Sequence, residues 1–196
     1  VDRHARVTVR QCQYSVPVRY VGRQVRVLLR ATRVLIFDGP RLVAEHERAT
    51  ERGSVTLVLD HYLEVLAYKP GALPGATALV QARKAGVFTA THERYWTAAK
   101  ARYGDKAGTQ ALVEALLLHR TYPHRQVLAG LEAALQVGAL SPEAVTVEVR
   151  RAGETSPVRP QLGLVTAEGR IAYPADTRPI PTVDVYDTLL TGGTPT

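Results

Sequence analysis

Arginine is the residue type whose spacing in this sequence most clearly suggests chemistry. Residues 1–52 carry 11 Arg and no Lys against 5 acidic residues, a net charge of +6. The net charge is +3 over residues 53–152 and −2 over residues 153–196. Guanidinium groups hydrogen-bond phosphate oxygens in bidentate geometry, so this concentration of charge predicts a surface for the nucleic-acid backbone. The alternative is a solvated sheet face in a protein from a GC-rich genome, because only 4 of the 25 basic residues are Lys.

Short β-strands must position these arginines. Residues 7–10, 25–30 and 34–37 are apolar or β-branched runs with two-residue alternation. Asp38-Gly39 separates the third run from a fourth at 42–44, which is typical of a tight hairpin. A further strand at 55–59 could close the sheet into a barrel without a free edge.

Alternation along these strands also predicts which side chains face outward. If the valines and Leu29 point inward, Arg6, Arg10, Arg26 and Arg30 point outward, because successive strand residues take opposite faces. Three further arginines stand in the intervening segments. The predicted DNA-contacting residues are therefore Arg6, Arg10, Arg19, Arg23, Arg26, Arg30 and Arg33.

The rest of the chain changes from strand to helix periodicity. Residues 61–75 end in a run rich in Pro and Gly and are interpreted as a linker. An α-helical domain follows at 76–152, in which the clearest helix has an apolar stripe from Val127 to Leu135 and a stop at Gly138. Other helices are predicted at 76–85, from Thr89 to Gly104, at 106–119, and after Ser141-Pro142-Glu143, where a β-branched body weakens the helix signal.

The last segment, 153–196, is predicted to be an extended or disordered Pro-rich tail. It ends in a short amphipathic stretch, 183–190, that fits a docking helix and a frayed end equally well.

Catalytic, metal and cofactor chemistry find little support. The six His stand far apart in sequence without the i, i+4 spacing of two ligands on one helix face, so no metal site is predicted. Residues 104–109 lack the Gly and Lys order of a phosphate-binding loop, and no Gly-x-Ser-x-Gly nucleophile motif occurs. We therefore predict no catalytic residue and no cofactor in this fragment.

Two other features could also indicate nucleic-acid binding, but a structural role is the preferred interpretation of both. Tyr95, Trp96 and Tyr103 could stack on bases, but aromatic residues beside Leu-rich neighbours on a helix favour core packing. The helices around 138–142 could form a helix-turn-helix, but Glu143 and Glu148 would face the phosphates, which favours structural packing.

Composition bounds the class of protein. With 45% hydrophobic and 22% charged residues, the 196-residue chain is typical of a soluble globular protein, and no apolar run reaches the length of a membrane span. The single Cys12 excludes an internal disulfide and favours the cytoplasm. The absence of Met, even at position 1, indicates a piece of a longer protein.

Several segments resemble a known family. The barrel signature comprises residues 14–17, 22–25, 37–39 and 44–46, and longer similar segments span 59–79, 131–145 and 174–190. They resemble the C-terminal region of IstA-type insertion-sequence transposases, relatives of the phage Mu transposase, in their actinobacterial branch.

The resemblance implies an α+β chain that begins with a small all-β barrel, SH3-like and of the Mu transposase C-terminal type, over residues 1–60. It implies a parent DDE-type transposase whose catalytic domain uses Mg²⁺ and precedes residue 1. It also implies duplex DNA, other transposase subunits and the helper ATPase IstB as partners. No acidic residue here matches the catalytic motif. The leading hypothesis is a non-catalytic DNA-binding and assembly module, and the alternative is a protein-interaction scaffold without direct DNA contact.

Overall fold

Two small β-sheets open the chain. The computed structural model describes residues 1–154, 164–165 and 171–172. The first sheet has the order β1-β2-β6, with β2 antiparallel to β1 and parallel to β6. The second sheet is antiparallel with the order β3-β4-β5. The strands are β1 (Arg6–Val9), β2 (Cys12–Ser15), β3 (Arg26–Leu29), β4 (Arg33–Asp38), β5 (Arg41–Glu47) and β6 (Val55–Thr56).

The two sheets share one hydrophobic core. Its buried residues come from both sheets and the loop after β2, namely Cys12, Tyr14, Val16, Tyr20, Val34, Ile36 and Ala44. The valines and leucine predicted to face inward are partly buried and pack against this core. The predicted small β domain is therefore confirmed. Its strands form two three-stranded sheets rather than one continuous sheet, and β6 is only two residues long.

Tight turns link the strand pairs. Asp38 pairs with Arg41, so the predicted hairpin has Gly39 (φ 58°) and Pro40 as its central residues. Gly at the first central position followed by Pro fits a type II′ turn. The β1–β2 turn is built instead from Arg10 (φ 47°) and Gln11 (φ 67°), a left-handed pair without glycine.

Five α-helices follow in the described part of the chain, and they build a second hydrophobic core that is separate from the first. They are α1 (Leu63–Tyr68), α2 (Thr77–Lys84), α3 (Ala90–Leu117), α4 (His124–Val137) and α5 (Pro142–Glu154). The fully buried residues of this core include Leu79, Leu112, Leu131 and Val145. The predicted helices are confirmed, and Gly138 ends α4 in a left-handed conformation.

The linker interpretation of residues 61–75 is wrong in its local structure. This segment contains α1 and a 3-10 turn at Pro70–Ala72, and Leu63, Leu66 and Leu73 are buried in the helical core. Proline fixes φ near the helical value, so Pro70 can begin a 3-10 turn. The Pro and Gly residues of this segment therefore belong to short helical elements and do not indicate an irregular linker. The domain boundaries themselves stay a prediction.

Helix α3 bends sharply at Gly104 (φ 82°, ψ 166°), where the sequence predicts a break between two helices. After the bend, Gly108 lies so close to the backbone of Lys100 and Ala99 that a Cβ would not fit. In the same way, Gly130 of α4 lies against Val149 of α5. Glycine therefore sets both close helix contacts.

A buried polar network joins the first sheet to the start of the helices. The Ser15 hydroxyl accepts a hydrogen bond from Val58 N–H (2.9 Å) and lies 2.8 Å from His61 Nδ1. His46 Nε2 lies 2.6 Å from the carbonyl oxygen of Ser15. These contacts link β2, β5 and the 3-10 turn at Leu59–Tyr62.

The chain divides into two compact units, Val1–Ser156 and Pro157–Thr196. In the second unit, two strands, β7 (Leu164–Val165) and β8 (Ile171–Ala172), pair antiparallel. The amphipathic stretch 183–190 lies outside the described residues. Among the described helices, none combines the length and apolar character needed to cross a membrane.

Candidate nucleic-acid interface

Three of the seven predicted DNA-contacting arginines are engaged with carboxylates of the protein itself. The ion pairs are Arg19–Glu64 (3.2 Å), Arg23–Asp38 (3.1 Å) and Arg33–Glu45. Glu64 also pairs with Arg120 at 3.0 Å. The expectation of an unpaired cationic face is therefore wrong for Arg19, Arg23 and Arg33. A neighbouring carboxylate cancels much of the field that a phosphate would feel.

Arg6 is also less available than its strand position predicts. It is half-buried, and its Nη1 donates to Oε1 of Gln13 on the neighbouring strand at 3.0 Å. Its Nε is buried without a hydrogen-bond partner among the described residues. Its guanidinium therefore lies along the sheet rather than out from it.

The remaining three predicted arginines, Arg10, Arg26 and Arg30, are exposed and have no ion pair within the described part of the chain. The Arg26 guanidinium carbon lies 5.2 Å from the ring centre of Phe37, its partner across the β3–β4 ladder. Arg10 stands in the β1–β2 turn, and Arg30 follows the last residue of β3.

Two arginines that the sequence analysis did not select complete the site. Arg48 and Arg52 line, together with Arg10, a groove of about 410 Å³ beside the β1–β2 turn. We call Arg10, Arg30, Arg48 and Arg52 the arginine end. No acidic residue lines this groove, although the exposed Glu51 stands between two of the lining residues, Thr50 and Arg52.

Backbone hydrogen bonds bring the arginine end together from three segments. Gly53 N–H donates to the carbonyl of Gln11 (3.2 Å), which holds the segment after β5 against the β1–β2 turn. Arg48 N–H donates to the carbonyl of Thr32 (2.8 Å), which joins that segment to the β3–β4 turn. From its sequence, the polar run 48–54 is interpreted only as the end of the β unit. Its hydrogen bonds to the two turns are what bring Arg48 and Arg52 next to Arg10 and Arg30.

Two of the five carboxylates of the β unit lie on β5, and none of the five lines the groove. Glu45 pairs with Arg33, and Glu47 stands opposite Arg33 in the strand register. The Arg33–Glu45 hydrogen bond raises the pKa of Arg33 above its ordinary value. Unpaired guanidinium donors are therefore concentrated at the arginine end, with Arg26 on the second sheet as a further exposed arginine without an ion pair in the described residues.

The histidines gather in space although they are far apart in sequence. The rings of His92, His119 and His124 have centroids 4.9 to 6.0 Å apart, and His46 and His61 are 5.6 Å apart. Within residues 1–154, no cluster of His, Cys, Asp and Glu could hold a metal ion.

Hydrogen bonding assigns the buried histidines a structural role. His92 Nδ1 accepts from Thr89 N–H (3.0 Å) in a capping box at the start of α3, and His92 Nε2 lies 3.0 Å from His119 Nε2. Because His92 Nδ1 accepts, its Nε2 carries the ring hydrogen and donates it to His119 Nε2, so both rings are neutral when this bond forms. Burial lowers the pKa of His92 to about 3 and that of His119 to about 4.

We expect the protein to lose stability in mild acid because of these histidines. Burial also lowers the pKa of His61 to about 4. The unfolded chain binds protons from about pH 6.5 downward, whereas the folded chain resists them until about pH 4, so the stabilisation is complete above pH 6.5 and falls below it. One histidine with its full shift gives a loss of roughly 3 kcal/mol between pH 6.5 and 4. Urea unfolding across this range checks it, and a flat profile, or one unaltered in His119→Gln, would contradict the assignment.

Aromatic side chains divide between core and surface. Tyr95 is fully buried, and its hydroxyl donates to the carbonyl of Leu140 at 2.8 Å. Trp96 is buried, and its Nε1 donates to Thr109 Oγ1 at 2.9 Å. Core packing is confirmed for these two residues and wrong for Tyr103, which is 42% exposed. Helix α5 packs on α4 through Val145 and Val149, in agreement with the structural reading of that helix pair.

Comparison with known proteins finds a family that matches the β unit. Residues 1–58 match the family described as the Mu transposase C-terminal domain. This match spans β1 to β6 and therefore contains the whole arginine end. The β unit is therefore similar to a transposase C-terminal domain. No solved structure matches it.

Proteins named as transposases are similar to a larger share of this chain. Transposases for insertion sequences IS1326/IS1353 from Pseudomonas aeruginosa and Shigella flexneri are 29% identical over 153 residues, which is 76% of this chain and 28% of each relative. A transposase from Aminobacter aminovorans is 25% identical over 182 residues, 90% of this chain and 33% of the relative. The region thus spans about a third or less of these relatives. Its assignment to the actinobacterial branch stays a prediction.

Proposed function

We propose that this region is a non-catalytic DNA-binding and assembly module of a transposase, acting in the cytoplasm. The supporting observation is the arginine end, where Arg10, Arg30, Arg48 and Arg52 are exposed or half-exposed and have no ion pair in the described part of the chain. Arg10, Arg48 and Arg52 line a groove without acidic residues. A phosphate backbone that passes this end would meet guanidinium donors from three segments.

Binding at such a surface is electrostatic and largely independent of base sequence. Phosphate contacts fix the position of a protein on DNA, whereas base contacts in the grooves provide specificity. The arginines of this end come from turns and from a loop rather than from a helix or strand pair that could enter a groove. We therefore assign this surface a holding role on the duplex.

The catalytic chemistry of the parent belongs, in this proposal, to a Mg²⁺-dependent DDE domain outside these residues. The described residues do not fit a metal site, because they contain no suitable cluster of ligands. Ser15 and His61, which resemble a nucleophile and base, are both buried and take part in the network that joins β2 to the helices. Neither residue is open to a substrate.

Binding of the 196-residue chain to two fluorescein-labelled 30-base-pair duplexes of unrelated sequence tests this proposal. We expect dissociation constants within about threefold of each other and displacement by heparin, because phosphates supply the contacts. No binding to either duplex at 50 mM salt, or strong preference for one, would overturn it.

A protein-interaction scaffold is the second candidate, and exposed apolar side chains on the second sheet support it. Leu28 of β3 is 40% exposed and Leu42 of β5 is 46% exposed. This surface could contact other transposase subunits or the helper ATPase IstB. Leu28→Ser with Leu42→Ser tests this surface: loss of helper recruitment with unchanged DNA affinity would assign recruitment to it, and unchanged recruitment would contradict that assignment. Truncation at Gly153 tests the tail in the same way.

A further inference from the structure

A second cationic groove lies on the helical part of the chain. It has a volume of about 880 Å³ and runs between the segment 68–74 and the bend of α3 at Gly104. Its lining includes Lys69, Lys100 and Lys106, which are three of the four lysines in the chain. Asp105 is the single acidic residue in the lining. The groove therefore carries a positive charge that is independent of the arginine end.

The bend of α3 gives this groove a fixed wall. Past Gly104 the helix returns against its own first half, with Gly108 on the backbone of Lys100. Trp96 Nε1 donates to Thr109 Oγ1 across the bend at 2.9 Å. The Lys100 ammonium lies 4.8 Å from the Trp96 ring centre, a cation–π contact that holds this lysine at the rim.

The opposite wall is apolar and carries an unusually exposed aromatic ring. Tyr68, the last residue of α1, is 89% exposed, the highest exposure among the large hydrophobic side chains of the described residues. The exposed Ala72 and Pro74, with the buried Pro70 beneath them, form the apolar surface beside it. A ring of this size in water has no packing partner in the protein, so its free face is available to a ligand.

We propose that this groove binds single-stranded DNA. Lys69, Lys100 and Lys106 would contact the phosphates, and unpaired bases would stack on Tyr68 and cover the apolar wall. A single strand offers both anionic phosphates and free aromatic faces, which is the combination that this groove complements. In a duplex the base faces are stacked on one another, so a duplex could use the lysines but not Tyr68. An acidic peptide could likewise contact the lysines and the apolar wall, but it has no base that could stack on Tyr68.

A matched set of probes separates stacking from charge. The probes are a labelled 15-mer of thymidylate and an abasic 15-mer with the same phosphates, each titrated with the full 196-residue chain. We expect the thymidylate to bind about tenfold more tightly than the abasic strand, as stacking of one or two bases predicts. Tyr68→Ala should abolish this preference, and Tyr68→Phe should retain it because the ring alone is needed.

Charge variants provide the second arm. Lys69→Ala with Lys106→Ala should weaken binding of both strands, whereas Lys84→Ala with Arg125→Ala, which removes the same charge at exposed positions outside the groove lining, should not. Equal affinity for the two strands, or a preference that survives in Tyr68→Ala, would overturn the proposal. Arg10→Ala with Arg48→Ala and Arg52→Ala should leave the preference intact, so failure here and failure of the duplex-binding proposal are distinguishable.

Discussion

Duplex DNA should bind about 10²- to 10³-fold more weakly at 0.1 M salt when Arg10, Arg48 and Arg52 are all replaced by alanine. Each phosphate contact contributes about 0.9 to the magnitude of the slope of log affinity against log salt. Relative to 1 M salt, each contact therefore raises the affinity nearly tenfold at 0.1 M salt. The three side chains line one groove without a carboxylate, so a backbone that enters it can contact all three. Fluorescence anisotropy with a 30-base-pair duplex measures the change.

A second triple variant supplies the control for this expectation. Arg19, Arg83 and Arg94 are exposed and paired with Glu64, Glu93 and Glu132, respectively. Alanine at these positions removes the same total charge, but each arginine already has a carboxylate beside it. Since the field of exposed charges is screened within about 10 Å at 0.1 M salt, we expect less than a tenfold loss. Equal losses in the two triple variants would show that only net charge matters.

Ser15→Ala should lower the free energy of unfolding by about 3 kcal/mol. The Ser15 side chain is fully buried, and its hydroxyl serves both Val58 N–H and His61 Nδ1. Alanine leaves both groups without that partner in a buried setting, and each unsatisfied buried group costs about 1–3 kcal/mol. The network joins the sheets to the helices, so we also expect one cooperative unfolding transition for both.

Ser54→Ala is the matched control for the Ser15 variant. The half-buried Ser54 donates its hydroxyl to the exposed carbonyl of Glu51, where water can replace it, and makes only a weak further contact with Cys12 Sγ at 3.7 Å. We expect a change within about 0.5 kcal/mol, as for other surface substitutions. Urea unfolding followed by circular dichroism compares the two variants, and equal effects would contradict the role of Ser15 as a buried junction.

Local patterns in the sequence predict much of this fold. Two-residue alternation correctly places Val7 and Val27 against the core of the β unit, and the stripe from Val127 to Leu135 correctly predicts α4. Gly104 correctly marks the break in α3. These features depend on neighbours a few residues away, so the sequence contains all the information that they need.

Long-range partners are what the sequence does not reveal. The sequence places Arg19 and Arg33 in the segments between the predicted strands, but only the fold brings Glu64, 45 residues away, to Arg19. The same holds for the neighbouring rings of His92 and His119. It also holds for Arg48 and Arg52, whose importance comes from backbone contacts with two turns. Ion-pair partners separated by dozens of residues carry no periodic signal.

The salt dependence of duplex binding tests the central claim most directly. Plotting log affinity against log salt for the 196-residue chain and for the Arg10, Arg48 and Arg52 triple variant gives two slopes. We predict that the slope of the variant is smaller in magnitude by about 2.7, which corresponds to three lost phosphate contacts. Parallel lines for the two proteins would contradict the assignment of the arginine end as the DNA-binding surface.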